Sequence, residues 1–150
     1  MLAQAPSSAL IARFGLTASL NAPYQARWHL RNALASWGIA AEVIETAELI
    51  TSELVTNAVK ASGMSFDPIG LTLCYAGQGL RIEVTDGCPT PPTLSHATPE
   101  AESGRGMLIV EMLSREWSYS YLPSGLGKTV YCVLPTDDWP GADGDLLVAS

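Results

Sequence analysis

Apolar residues recur along the chain at two different periods, and each change of period marks the end of one element and the start of another. From Leu10 to Leu20 apolar and polar residues roughly alternate, with Ile11, Phe14, Leu16 and Ala18 among the apolar ones. That spacing predicts a first strand. Asn21-Ala22-Pro23 then reads as a helix entry, with Asn as cap and Pro early in the first turn. Ala26, Leu30, Ala33, Leu34 and Trp37 follow at helical spacing, and Gly38 ends the run. A longer helix is predicted from Ala41 to Ala61, a stretch without Gly or Pro. Its apolar face is Val43, Ile44, Ala47, Ile50, Leu54, Ala58 and Ala61. Glu42, Glu45 and Glu48 in its first half and Lys60 near its end both suit the helix dipole. Ser62-Gly63 closes it.

The period then changes to two. Ile69 to Tyr75 and Leu80 to Thr85 read as strands of a hairpin joined through Ala76-Gly77-Gln78-Gly79. Asp86 to Gly104 is rich in Pro, Thr, Ser and Gly and is long for an internal loop, a property of functional lids. Gly106 to Leu113 reads as a short helix. Trp117 to Leu122 and Thr129 to Leu134 form a second hairpin across Pro123 to Gly127. The order is β-α-α-β-β-loop-α-β-β. Hairpins predominate, so the expected fold class is α+β: a two-layer sandwich with a mixed, mostly antiparallel sheet and the helices on one face. Residues 1–9 read as a flexible tail, 10–135 as one domain, and 136–150 as a loose acidic tail.

Composition narrows the function. The chain has 150 residues, enough for one domain that needs no disulfide or metal to fold. The net charge is −7 with only eight Lys and Arg, which argues against a nucleic-acid partner. An acidic protein that takes an anionic ligand must use backbone N–H groups, helix N-termini or a metal ion. Cys74, Cys88 and Cys132 match no zinc spacing, and Cys74 and Cys132 lie in apolar runs as core thiols. No run approaches the ~20 apolar residues of a membrane span. The N-terminus shows no signal-peptide pattern, so a cytoplasmic location without membrane partners is expected.

Several residues could carry chemistry. Glu53 and Asn57, four apart, share one side of the long helix. An Asn amide oxygen suits a hard cation such as Mg²⁺, and a Glu beside it could accept a proton. Asp86 stands where a strand ends in Asp86-Gly-Cys-Pro89. A buried carboxylate there could accept a hydrogen bond from an exocyclic amine such as that of adenine, although Asp-Gly is also a common turn. Ser103-Gly104-Arg105-Gly106 precedes a helix, where glycines let backbone N–H groups approach phosphate and Arg can add a bidentate contact. Gly125-Leu-Gly127-Lys128-Thr129 lacks the spacing of a P-loop and precedes a strand, so that reading is rejected. His29, on a helix among apolar neighbours, and the four Trp read as packing residues.

Taken in order, four segments carry a family resemblance: Ser52-Glu-Leu-Val-Thr-Asn-Ala-Val59, Val84-Thr-Asp86-Gly-Cys-Pro89, Gly104-Arg-Gly-Met-Leu-Ile-Val110 and Gly127-Lys-Thr129-Val130. The series resembles the GHKL (Bergerat-fold) ATPases, and within them the anti-sigma-factor serine/threonine kinases. The resemblance spans roughly residues 10–135 and implies ATP and Mg²⁺ as cofactors. It implies Asn57 as the Mg²⁺ ligand and Glu53 as the general base. Asp86 would bind the adenine amine, with Thr129 supporting it through a shared water. Gly104, Arg105 and Gly106 would lie along the phosphates, and Lys60, one turn beyond Asn57, near the site. The implied activity is transfer of the ATP γ-phosphate to Ser or Thr of an anti-sigma-factor antagonist. The implied partners are that antagonist, a sigma factor and a second copy in a homodimer. The family loop after the Asp is Asp-x-Gly-x-Gly, whereas Cys88 and Thr90 stand at its two Gly slots here. Cys88 would then lie beside the nucleotide. The alternative implied by those substitutions is a nucleotide-sensing binding module without phosphotransfer.

Overall fold

The computed structural model describes residues 9–62, 68–76, 79–92 and 105–136. Eight elements follow one another: β1 (Leu10–Leu16), α1 (Ala22–Ser36), α2 (Ala41–Ser62), β2 (Ile69–Ala76), β3 (Gly79–Asp86), α3 (Arg105–Leu113), β4 (Glu116–Tyr121) and β5 (Lys128–Pro135). The five strands form one sheet in the order β1-β2-β3-β5-β4. Every described pair is antiparallel, the pairing expected to predominate. Both hairpins are present. Gly77-Gln78, the two proposed tails apart from Ala9 and Thr136, and most of the proposed lid lie outside the described residues.

Strand alternation decides which face is buried. Ile69, Leu71, Leu73 and Tyr75 of β2 and Leu80, Ile82 and Val84 of β3 are sealed from solvent, while Gly70, Thr72, Cys74, Arg81, Glu83 and Thr85 between them are half-exposed. Val130, Cys132 and Leu134 of β5 continue that face. Register aligns them in rows, with Leu73 opposite Ile82 and Ile82 opposite Cys132. The helices cover this face. Ala22, Ala26, Leu30 and Leu34 of α1 and Ala47, Ile50, Leu54, Val55 and Ala58 of α2 are buried against it and each other. The opposite face is more polar, with the Arg81 guanidinium 3.7 Å above the Tyr131 ring. His29 packs as expected, stacked on Phe14 at a centroid distance of 4.5 Å. No described helix is long and apolar enough to cross a membrane.

Two local expectations change. Strand β1 ends at Leu16, directly opposite Ile69, where its partner β2 begins. Asn21 does not cap α1 with its side chain: its backbone is already helical, at φ −85° and ψ −10°. Its N–H instead donates to the Ser19 hydroxyl at 3.3 Å. At the other end Gly38 adopts φ 77°, the left-handed turn that stops the helix.

Candidate functional site

Strands β3 and β5 pair antiparallel so that Asp86, the last residue of one, lies directly opposite Lys128, the first of the other. Directly opposed residues project to the same face. For both, that is the face continued by Val84 and Val130, toward the helices. The C-terminal half of α2 and the start of α3 pass over this corner of the sheet, leaving a cavity of about 340 Å³ between the layers. Asn57 and Lys60 line it from α2, Met107 from α3, and Asp86, Cys88 and Lys128 from the strand ends and the following loop. The size lies within the roughly 300–1,000 Å³ of small-molecule sites, and the walls supplied by Leu54, Ala58, Val84 and Val130 are apolar.

The floor of the cavity is ionic. Asp86 and Lys128 side chains are only 2% and 4% exposed, and the Lys128 Nζ lies 3.0 Å from Asp86 Oδ2. It also donates to Asp86 Oδ1 at 3.1 Å and to the Cys88 carbonyl at 3.1 Å. The Cys88 N–H donates to Asp86 Oδ1 at 2.8 Å, an Asx turn that shapes the loop after β3. Asp86 is therefore both the turn residue its Asp-Gly context suggests and a buried carboxylate in the cavity. Gly127 lets the two segments meet: a Cβ there would collide with the Asp86 carbonyl and approach Gly87 Cα to 3.1 Å. The Cys88 thiol titrates below its ordinary value of 9.0, chiefly because hydrogen bonds from the Thr90 hydroxyl and backbone favour the thiolate.

The structure thus brings together Asn57, Lys60, Asp86 and Cys88. Glu53 is half-buried one turn before Asn57 on α2 and does not line the cavity formed by the described residues. Arg105 and Gly106 open α3, whereas Gly104 lies outside the described residues. Thr129 is a correction. Its hydroxyl bonds to Thr85 across the strands at 2.8 Å, on the sheet face opposite Lys128. Alternation along β5 turns it away from Asp86, so the side chain that supports Asp86 is Lys128. The sequence signal for Lys128 was an ionic residue heading the alternation Lys128, Val130, Cys132, Leu134. The rejection of a P-loop holds, since Gly127 leads into a strand.

Residues 16–133 match the model of the histidine kinase-like ATPase domain, well over half of the chain. The chain belongs to that family. Its fold is accordingly that of an ATP-binding domain, and the resemblance to GHKL ATPases is borne out at the level of family and fold. Among solved structures, the chain is similar to one of the RsbU and RsbW domains of a Mycobacterium tuberculosis protein, with a TM-score of 0.65 and 22% identity. That likeness covers 84% of this chain but only 32% of the other, so this chain spans about a third of its length. It is also similar to a structure of the SiaB–SiaC complex from Pseudomonas aeruginosa, with a TM-score of 0.60 and 14% identity, over 82% of this chain and 89% of that one. No curated protein sequence matches the chain.

Proposed function

We propose that this histidine kinase-like ATPase domain binds ATP in the cavity between α2, α3 and the ends of β3 and β5. In this reading it acts as an anti-sigma-factor kinase, transferring the γ-phosphate to a Ser or Thr of an antagonist protein and holding a sigma factor as its second partner. The observation that carries the reading is the convergence of Asn57 and Asp86, 29 positions apart by residue number, on one cavity beside the start of α3.

The residues fit a magnesium ion of a particular kind. Among the described residues no group of three His, Cys, Asp or Glu could cage a metal, and the cavity offers the Asn57 amide. Mg²⁺ keeps several waters and takes phosphate oxygens as ligands, so a single side chain suffices for an ion that arrives with a triphosphate. When bound, the ion would offset the phosphate charge. Asn57 would hold its position, and Lys60 would add a mobile positive charge at the cavity edge. The N-terminus of α3 would direct backbone N–H groups toward phosphate. Glu53, one turn from Asn57, would accept the proton of the substrate hydroxyl.

A second reading, a nucleotide-sensing binding module without phosphotransfer, is favoured by two features. Glu53 stands outside the lining formed by the described residues, and Lys128 holds Asp86. Titration calorimetry with ATP, with and without Mg²⁺, tests the shared premise. Mg²⁺-dependent binding that is lost in Asn57→Ala is expected; no binding at millimolar ATP would sink both readings. Glu53→Ala then separates them, because a kinase would keep ATP binding and lose phosphotransfer to the antagonist.

A further inference from the structure

The Asp86–Lys128 pair has a consequence for which nucleotide the cavity accepts. A carboxylate at the bottom of an apolar slot recognises an amino-purine by accepting a hydrogen bond from its exocyclic amine. Here that carboxylate already accepts three hydrogen bonds, two of them from an ammonium, and only Oδ2 keeps a second lone pair. The Lys128 ammonium has three donors, and three acceptors surround it: Asp86 Oδ1 at 3.1 Å, Asp86 Oδ2 at 3.0 Å and the Cys88 carbonyl at 3.1 Å. Asp86 Oδ1 additionally accepts from the Cys88 N–H. An incoming amine would be a neutral donor competing with a charged one, and hydrogen bonds to charged groups are the stronger.

Lys128 has little freedom to step aside. It begins β5 directly opposite Asp86, and the preceding Gly127 is pressed so closely against the Asp86 and Gly87 backbone that not even a Cβ would fit. The side chain is 4% exposed, and leaving Asp86 would place an unpaired ammonium among Val84, Met107 and Val130 or force it across the cavity. The walls supplied by Leu54, Ala58, Val84, Met107 and Val130 are apolar and suit any flat purine, with Cys88 and Thr90 as polar lining on the side of Asp86.

We propose that Lys128 sets the base selectivity of this site: by engaging both oxygens of Asp86 it weakens the acceptor offered to the adenine amine, so purine nucleoside triphosphates bind with little preference for the amino-purine. The inference rests on the reading of the cavity as a nucleotide site. A site that hydrogen-bonds a ligand group discriminates strongly against the analogue lacking it, whereas a site making only apolar contact discriminates little.

The test compares ATP with purine riboside 5′-triphosphate, which lacks only the amine, each with Mg²⁺ and titrated calorimetrically into the full chain. The wild type is expected to bind the two within about threefold of each other. In Lys128→Thr, whose shorter side chain suits a strand and frees Asp86, ATP is expected to gain a preference of about tenfold or more. A wild type that already prefers ATP by that margin overturns the inference and leaves the nucleotide reading standing; this arm needs no variant. A wild type without preference combined with a folded Lys128→Thr also without preference overturns it too, because Lys128 would not be what closes Asp86. Absence of binding of either nucleotide to either protein at millimolar concentration removes the nucleotide reading and the inference with it.

Discussion

At the scale of single residues, one pair governs the candidate site. Asp86 and Lys128 are buried together, and a buried ion pair resists the loss of one partner far more than the loss of both. Asp86→Ala leaves the Lys128 ammonium with only the Cys88 carbonyl and should lower stability by about 3–5 kcal/mol. Replacing both, as Asp86→Ala with Lys128→Met, should cost distinctly less than the sum of the two single changes. Chemical denaturation of the four proteins of this double-mutant cycle measures the coupling. Asp86 could be singled out from its place at the end of a run reading as a strand. The role of Thr129 was implied by the family resemblance alone, which does not fix which of two successive residues at a loop-to-strand junction turns inward, and a one-residue difference reverses the face.

At the scale of elements, the two long helices are joined by both kinds of contact. Leu30 on α1 is fully buried in the core, while Arg31 beside it reaches Glu48 of α2 at 2.7 Å with its own side chain 65% exposed. Apolar burial should dominate. Leu30→Ala is expected to cost about 2–5 kcal/mol through lost contacts and a cavity. Arg31→Ala should cost no more than about 1 kcal/mol, since solvent screens the pair. Thermal and urea unfolding of the two variants rank them directly. The helices themselves were legible because Ala26, Leu30 and Leu34, and Ala47, Ile50, Leu54 and Ala58, repeat at helical spacing. The end of β1 was not, because it depends on where β2 begins, more than fifty residues away by number.

At the scale of the whole molecule, burial of Cys132 links the core to pH. The thiol is fully buried and its pKa is raised from 9.0 to about 11, mainly by desolvation of the thiolate. The unfolded chain therefore releases this proton at lower pH than the folded one. The stabilisation is complete below pH 9.0 and is lost as pH rises toward about 11, by as much as about 2–3 kcal/mol. Other groups also titrate in that window, so the relevant quantity is the difference between wild type and Cys132→Ala. That difference should decline between these pH values, and a difference independent of pH would contradict the assignment.

What the sequence by itself determined was local. Hydrophobic periodicity placed three helices and five strands, hairpin connectivity implied an antiparallel sheet under one helical layer, and the ordered motifs around Asn57, Asp86 and Arg105 pointed to a GHKL ATPase. Only the tertiary structure decided what stands next to what. Lys128 meets Asp86 because β3 and β5 become neighbours, with β5 pairing between β3 and the edge strand β4. Among the described residues Asn57 enters the cavity lining and Glu53 does not, although both lie on one helix. Periodicity along a chain is set by backbone geometry within a few residues. Contacts between distant segments depend on strand register and helix placement, which arise only when the layers pack.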